Sequence, residues 1–314
     1  MQDEETWARD SLRDIALEGI RERRRARRWG IFFKLAVLAY LFALLFFSAR
    51  PLLGLGADAS AGPHTAVVEI EGPIMADSRA SAERVIAGLE RAFEAPQAQG
   101  VMLQINSPGG SPVESSRIYQ AIQALREAHP DMPVHAVAGD AMASGAYYIA
   151  AAADEIHVDG ASIVGSIGVI SRGFGFSEAI DRLGIERRVY AAGDEKAGMD
   201  PFTEPDPDEE ARMQDMLDGI HEQFIDAVRA GRGERLDTKD ETLFSGRIWT
   251  GEQGIALGLA DGLGTPRTVA AEVIGAEQRI EYAPPRPFLD RALERVGGAA
   301  ARVWLEMQHP ALTH

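Results

Sequence analysis

The chain contains no cysteine, which excludes disulfides, thiolate metal sites and a cysteine nucleophile in any redox compartment. Its fold must rest on packing alone. Lysine is nearly missing as well: Lys34, Lys196 and Lys239 are the three lysines among 32 basic residues. Arginine therefore serves wherever a surface cation suffices, and each lysine is informative, because burial can deprotonate lysine but not arginine. Positive charge as a whole is short. Residues 51–314 carry 22 basic against 41 acidic side chains, a net −19 within a chain total of −16. Such a field repels phosphate backbones, so nucleic acid is excluded as a partner and an acidic, peptide-handling domain fits better.

What is present is size and apolar content: 314 residues at 46% hydrophobic, enough to bury a substantial core as one large domain or two smaller ones. Residues 29–49 form an apolar run broken only by Lys34 near its start. A hydrocarbon core of ~30 Å needs ~20 helical residues, so the run is long enough for one transmembrane helix, with Lys34 near enough to one end to snorkel. Six arginines fall within residues 21–28 and only Arg50 lies on the other flank, which places the N-terminus in the cytoplasm. The alternative is a cleaved secretory signal with Ala59-Ser60-Ala61 at the cut, although the run exceeds the usual ~7–15 residue signal core. Residues 1–28 are then a basic cytoplasmic segment, 29–49 the membrane helix, and 50–65 a linker rich in Gly, Ala and Pro.

From residue 66 the pattern is α/β. Apolar runs at 67–70, 101–105 and 134–138 read as strands, with helix-period stretches at Ala82–Phe93 and 114–128 between them. That alternation predicts parallel crossover units. Further strands are expected at Glu155–Val158, 163–170 and 188–191, and a long helix over 208–230. The tail, 279–314, carries an amphipathic helical pattern over 286–308 that suits packing on the domain, a partner subunit or a membrane surface.

Two clusters carry the chemistry. In Asn106-Ser107-Pro108-Gly109-Gly110-Ser111 a strand runs into a glycine pair and then a helix. Uncovered N–H groups there suit a developing oxyanion, and a plain loop is the competing reading. In Ala143-Ser144-Gly145-Ala146-Tyr147-Tyr148 a serine between very small neighbours again follows a strand and opens a helix. That is what a serine nucleophile needs, and the alternative is a serine that merely caps the helix. Both turns fall at the carboxyl edge of one parallel sheet, where α/β proteins build sites.

A serine nucleophile requires a base. The seven histidines fall in linker or tail (His64, His309, His314), before a turn (His129), within strands (His135, His157) or on a long helix (His221), each read more simply as structural or solvated. Lys196 lies in the glycine-flanked loop that runs to Pro201-Phe202. A lysine base near neutral pH must be desolvated until its ordinary value of ~10.4 falls toward ~7–8. Asp194, Glu195 and Asp200 oppose this, so their carboxylates are expected to point to solvent. A solvated loop lysine is the alternative reading.

These segments, with Gly165-Ser166-Ile167-Gly168-Val169 and Gly246-Arg247-Ile248-Trp249-Thr250-Gly251-Glu252-Gln253, resemble the signal peptide peptidase A family over roughly residues 66–275, in the family's order. The resemblance implies a crotonase/Clp-protease-like α/β fold in a peptidase domain over 66–278. It implies a Ser/Lys dyad of Ser144 and Lys196, with Ser166 orienting the amine. The oxyanion hole falls on Gly109 and Gly110, with the Gly145 N–H as a further donor. It also implies a bacterial inner-membrane protein with its catalytic domain outside the cytoplasm, acting on apolar, signal-peptide-like segments without metal or cofactor. Short, single-unit members are homo-oligomers, and Ser144 and Lys196 from neighbouring protomers would complete each site. The rival readings are a crotonase-type acyl-CoA enzyme and an inactive membrane-tethered scaffold.

Overall fold

In a computed structural model the chain is described over residues 29–44, 46, 62–193 and 195–283. The basic segment 1–28, most of the linker, and the tail from 284 onward lie outside the described residues. Residues 29–44 are helical (α1), with exposed apolar side chains such as Phe32, Leu38 and Phe42. Among the described residues no helix is long and apolar enough to cross a membrane.

The chain divides into two units, the second starting at Ala61, and this second unit is built on an eight-stranded sheet, parallel except for one antiparallel pair at an edge. Strands β1 (His64–Glu71), β2 (Ala98–Ser107) and β3 (Val134–Ala143) lie side by side, linked by helices α2 (Ala82–Phe93) and α3 (Pro112–Ala128). These are the crossover units that the sequence spacing predicts. β3 is long enough to serve two neighbours on its free edge. Its first half pairs with β4 (Glu155–Val158), and its last residues pair with β5 (Ile163–Gly165). Helix α4 (Gly145–Ala150) follows β3 directly, and the long α6 (Pro207–Arg232) comes after the short α5 (Ser177–Arg182). The edges are finished by β6 (Ile248–Thr250), antiparallel to β5, by β7 (Gly262–Leu263) on β4 and by β8 (Arg279–Glu281) on β1.

Both faces of the sheet are covered, as a parallel sheet requires. One face packs Ile70, Leu103, Ile105 and Ala136 against Leu89, Ile118, Ile122 and Ile149, and the other packs Val67, Met102 and Val137 against Val269 and Ala270. Helix ends are satisfied across elements. The buried Glu114 of α3 accepts the Ala82 N–H at 2.7 Å, setting a carboxylate at the positive end of α2.

Two strand expectations are corrected. The 163–170 run stops at Gly165, because Gly165 and Ser166 have φ of +86° and +53° and turn the chain out of the sheet. Residues 188–191 form no strand; they lie exposed, with no neighbour among the described residues to complete a ladder.

The most deeply buried ion pair ties the far end of the domain together. Arg232, at the end of α6 and fully buried, makes two hydrogen bonds of 2.7 and 2.9 Å to Asp261, which also accepts the Ile156 N–H at 2.7 Å. Partial burial works to raise the Asp261 carboxyl. The Arg232 and Ile156 hydrogen bonds and the Arg232 and Arg235 charges outweigh it and hold the carboxyl below its usual range. Asp261→Asn leaves the guanidinium buried beside a neutral amide, so urea unfolding should show a loss of about 3–5 kcal/mol. The folded carboxyl titrates below its unfolded value of ~4, so this contribution is complete above that pH and lost as pH falls further; the gap between wild type and variant should close in that acid range.

Candidate active site

Ser144 stands where β3 ends and α4 begins, with φ 53° and ψ −127°, a conformation that costs a non-glycine residue ~1–3 kcal/mol. Its hydroxyl makes no capping hydrogen bond to the helix it precedes. Ser111, in the equivalent place before α3, accepts the Glu114 N–H at 3.4 Å. Of two serines at two strand-to-helix junctions, one caps its helix and the other is held strained with its hydroxyl bonded to no described residue. The capping alternative for Ser144 therefore fails.

The seat of Ser144 is made of backbone. Its N–H donates to Gly165 O at 2.8 Å, and the next residue, Ser166, donates its own N–H to Arg247 O at 2.8 Å. Ser166 repeats the left-handed φ of 53°, so the two strained serines sit at the ends of adjacent strands. Trp249 and Arg247 underlie this arrangement. The Trp249 ring lies so close to Gly165 that a Cβ there would meet its Cδ1 at 2.7 Å, and the Arg247 guanidinium stacks on the ring at 4.4 Å. The sequence signal for these two residues is slight, an arginine just ahead of β6 and a tryptophan two positions on.

Gly109 and Gly110 close the opposite side. A Cβ on Gly109 would lie 2.7 Å from Gly145 N and 2.8 Å from Ser144 Cβ, and one on Gly110 would lie 2.1 Å from Ile74 O. The glycine pair is thus required by contact, and at Gly109 also by its φ of +94°. Gly109 donates its N–H to Ser107 Oγ at 3.1 Å. The Gly110 and Gly145 N–H groups, in contrast, donate to no acceptor among the described residues. Gly145 itself abuts Ser115 Oγ, another residue without a sequence-derived role.

Beside Ser144 is a cavity of about 130 Å³ lined by Tyr148, Val169, Ile170, Ile220 and Phe224 together with small residues of α3. Neither Ser166 nor Lys196 lines it. Lys196 is exposed, in a turn closed by its N–H to Gly193 O at 3.1 Å. Around it Glu195 lies 3.7 Å from Arg212. Asp200 folds onto Arg187 at 2.6 Å and accepts the Phe202 N–H, contacts that, with the Phe202 bond foremost, hold its carboxyl below the usual range. The expectation that Asp200 points to solvent is thereby corrected: an arginine within reach is a better partner. Asp194 lies outside the described residues.

A family model for Peptidase family S49 matches residues 126–278, and one for Clp protease matches residues 64–164. A Synechocystis protein named as a protease is 31% identical over 231 residues, covering 71% of this chain and 80% of that relative. The chain belongs to peptidase family S49. Within S49, an Enterococcus faecium protein named for signal peptide peptidase SppA is 32% identical over 176 residues, 56% of this chain and 50% of its own length. The resemblance to signal peptide peptidase A read from the motifs therefore holds. A Brucella abortus protein named Na(+)/H(+) antiporter NhaA is 42% identical over 210 residues, 67% of the S49 chain. The S49 chain spans only 28% of the length of that relative. Its mostly parallel sheet is consistent with the Clp-protease-like fold.

Proposed function

We propose that this chain is a serine endopeptidase that cuts apolar, extended peptides such as signal peptides left in a membrane. The observation that carries the reading is Ser144: a strained serine whose hydroxyl, with two neighbouring backbone N–H groups, bonds to no described residue, beside a cavity with a partly apolar lining. Ser144 Oγ attacks the peptide carbonyl, and the Gly110 and Gly145 N–H groups receive the oxyanion. Gly109 shapes the hole by having no side chain. Its N–H is already given to Ser107. The cavity accepts a small or medium apolar side chain of the substrate.

Lys196 takes the serine proton and returns one to the leaving amine, while Ser166 orients its amine. The exposure of Lys196 fits a base delivered to a neighbouring protomer, because an ammonium in water is no base and a subunit contact is what would strip it. The loop region that carries it exposes Ile170, Phe174, Leu183 and Tyr190, an apolar surface suited to a homo-oligomer contact. The apolar sequence of 29–49 and the arginines before it support a single-pass anchor in a bacterial inner membrane, with the N-terminus cytoplasmic and the peptidase domain outside.

The test offers the detergent-purified full chain an internally quenched apolar peptide and an acyl-CoA thioester. Turnover of the peptide alone is expected. Turnover of the thioester alone would instead make the glycine N–H pair an enolate-holding device and end the peptidase reading.

A further inference from the structure

About nine residues upstream of Ser144 on the same strand lies a second cluster of reactive side chains that the peptidase reading does not use. His135 stands on β3, and Glu155 and His157 stand on β4. The strand register sets His135 opposite Glu155 and Val137 opposite His157. Alternate residues of a strand share a face, so all three side chains meet on one side of two paired strands, a more rigid platform than a loop. Glu155 Oε2 lies 3.5 Å from His135 Nδ1 and 3.2 Å from His157 Nε2. All three atoms lie within 4.8 Å of one another.

Two observations separate this cluster from an ordinary buried ion pair. His135 Nδ1 is buried yet makes no hydrogen bond to any described residue, and an orphaned polar atom is expensive to bury. The two contacts to Glu155 also approach the spacing of a coordination shell, in which ligands held at ~2.0–2.1 Å from a tetrahedral zinc are separated by about 3.3 Å, while the two imidazoles stay within 4.8 Å of each other. Both rings are more than nine-tenths buried, whereas the Glu155 side chain is 45% exposed and opens a way in from solvent. Gly264 covers the inner side. A Cβ there would lie 2.8 Å from a Val269 methyl and 3.1 Å from His157 Cβ, so a glycine lets the chain pass close beside that ring.

We infer that His135, Glu155 and His157 form a binding site for a divalent cation of the zinc class, with one coordination position left for water or an outside group. Two imidazoles and one carboxylate, with no thiolate in the chain, select zinc, cobalt or a similar borderline ion over calcium or magnesium. The site is separate from Ser144 and independent of whether the chain is a peptidase.

The test uses the full chain in detergent, stripped with a chelator and titrated with Co²⁺ and then Zn²⁺. Wild type should take one Co²⁺ into the site with the intense visible absorption of a low-symmetry centre, lose that absorption to Zn²⁺, and gain thermal stability with Zn²⁺. Glu155→Gln, nearly isosteric and half-exposed, should keep the metal-free melting temperature and weaken cobalt binding by about 100-fold or more. His157→Gln provides the same reading should the first variant unfold. Absorption and stabilisation unaltered in the variants would assign the metal to other histidines, and their absence in wild type would leave a hydrogen-bonded polar cluster only; either result overturns the inference.

Discussion

Ser144→Ala should abolish peptide hydrolysis, by about 10⁴-fold or more in kcat, and leave the melting temperature unaltered. The first half follows from the nucleophile's role. The second is specific to this structure: the hydroxyl caps nothing, and the backbone strain at φ 53° is borne equally by alanine, so no folding contribution disappears with the oxygen. A conventional helix-capping serine would behave in the opposite way, losing roughly 1 kcal/mol of stability on substitution. Activity assays on an apolar fluorogenic peptide beside a thermal melt read both halves. A stable, still active variant would remove Ser144 from the chemistry, and a destabilised one would return it to a capping role.

The second large effect is a recovery rather than a loss. Lys196→Ala should be as silent as Ser144→Ala, yet co-expressing the two should restore about a quarter of wild-type turnover, because in a head-to-tail ring of randomly mixed chains one contact in four joins an intact serine to an intact lysine. If each chain supplied both groups to its own site, every mixed site would lack one of them and the mixture would stay silent. The exposure of Lys196 and its absence from the cavity beside Ser144 favour recovery. Activity in Lys196→Ala alone would require another base. The buried His135 and His157 are poor candidates, because His135 lies nine residues before the nucleophile on β3 and His157 lies level with Val137, seven before it.

Much of this arrangement was legible in the residues. Crossover spacing gave β1, β2 and β3 because apolar strands buried on both faces leave an unmistakable run, and the glycine pair and Ser144 stood out at the two strand ends. What escaped has a common cause. β6, β7 and β8 are two or three residues long and exist only through their partners. The roles of Trp249, Arg247 and Ser115 depend on contacts across the fold that no local pattern encodes. The 163–170 run misled because its apolar pattern continues past Gly165, where backbone torsion rather than hydropathy ends the strand. Taken singly, each histidine on β3 and β4 looks structural. Only register brings them onto one carboxylate.

Ser144 and Ser166 are fixed through main-chain atoms, the first by Gly165 O and the second by Arg247 O. Apart from Gly165, which contact and a φ of +86° hold as glycine, and the Arg247–Trp249 stack beside it, side-chain identity in these bordering segments can therefore drift across generations with little penalty to the catalytic geometry. Segment length cannot, since adding or deleting a single residue between 144 and 165, or between 166 and 247 close to either end, would shift the partner carbonyl out of step. Substitutions should accumulate here while insertions are purged, and natural or engineered diversity should be sought in composition rather than in loop size.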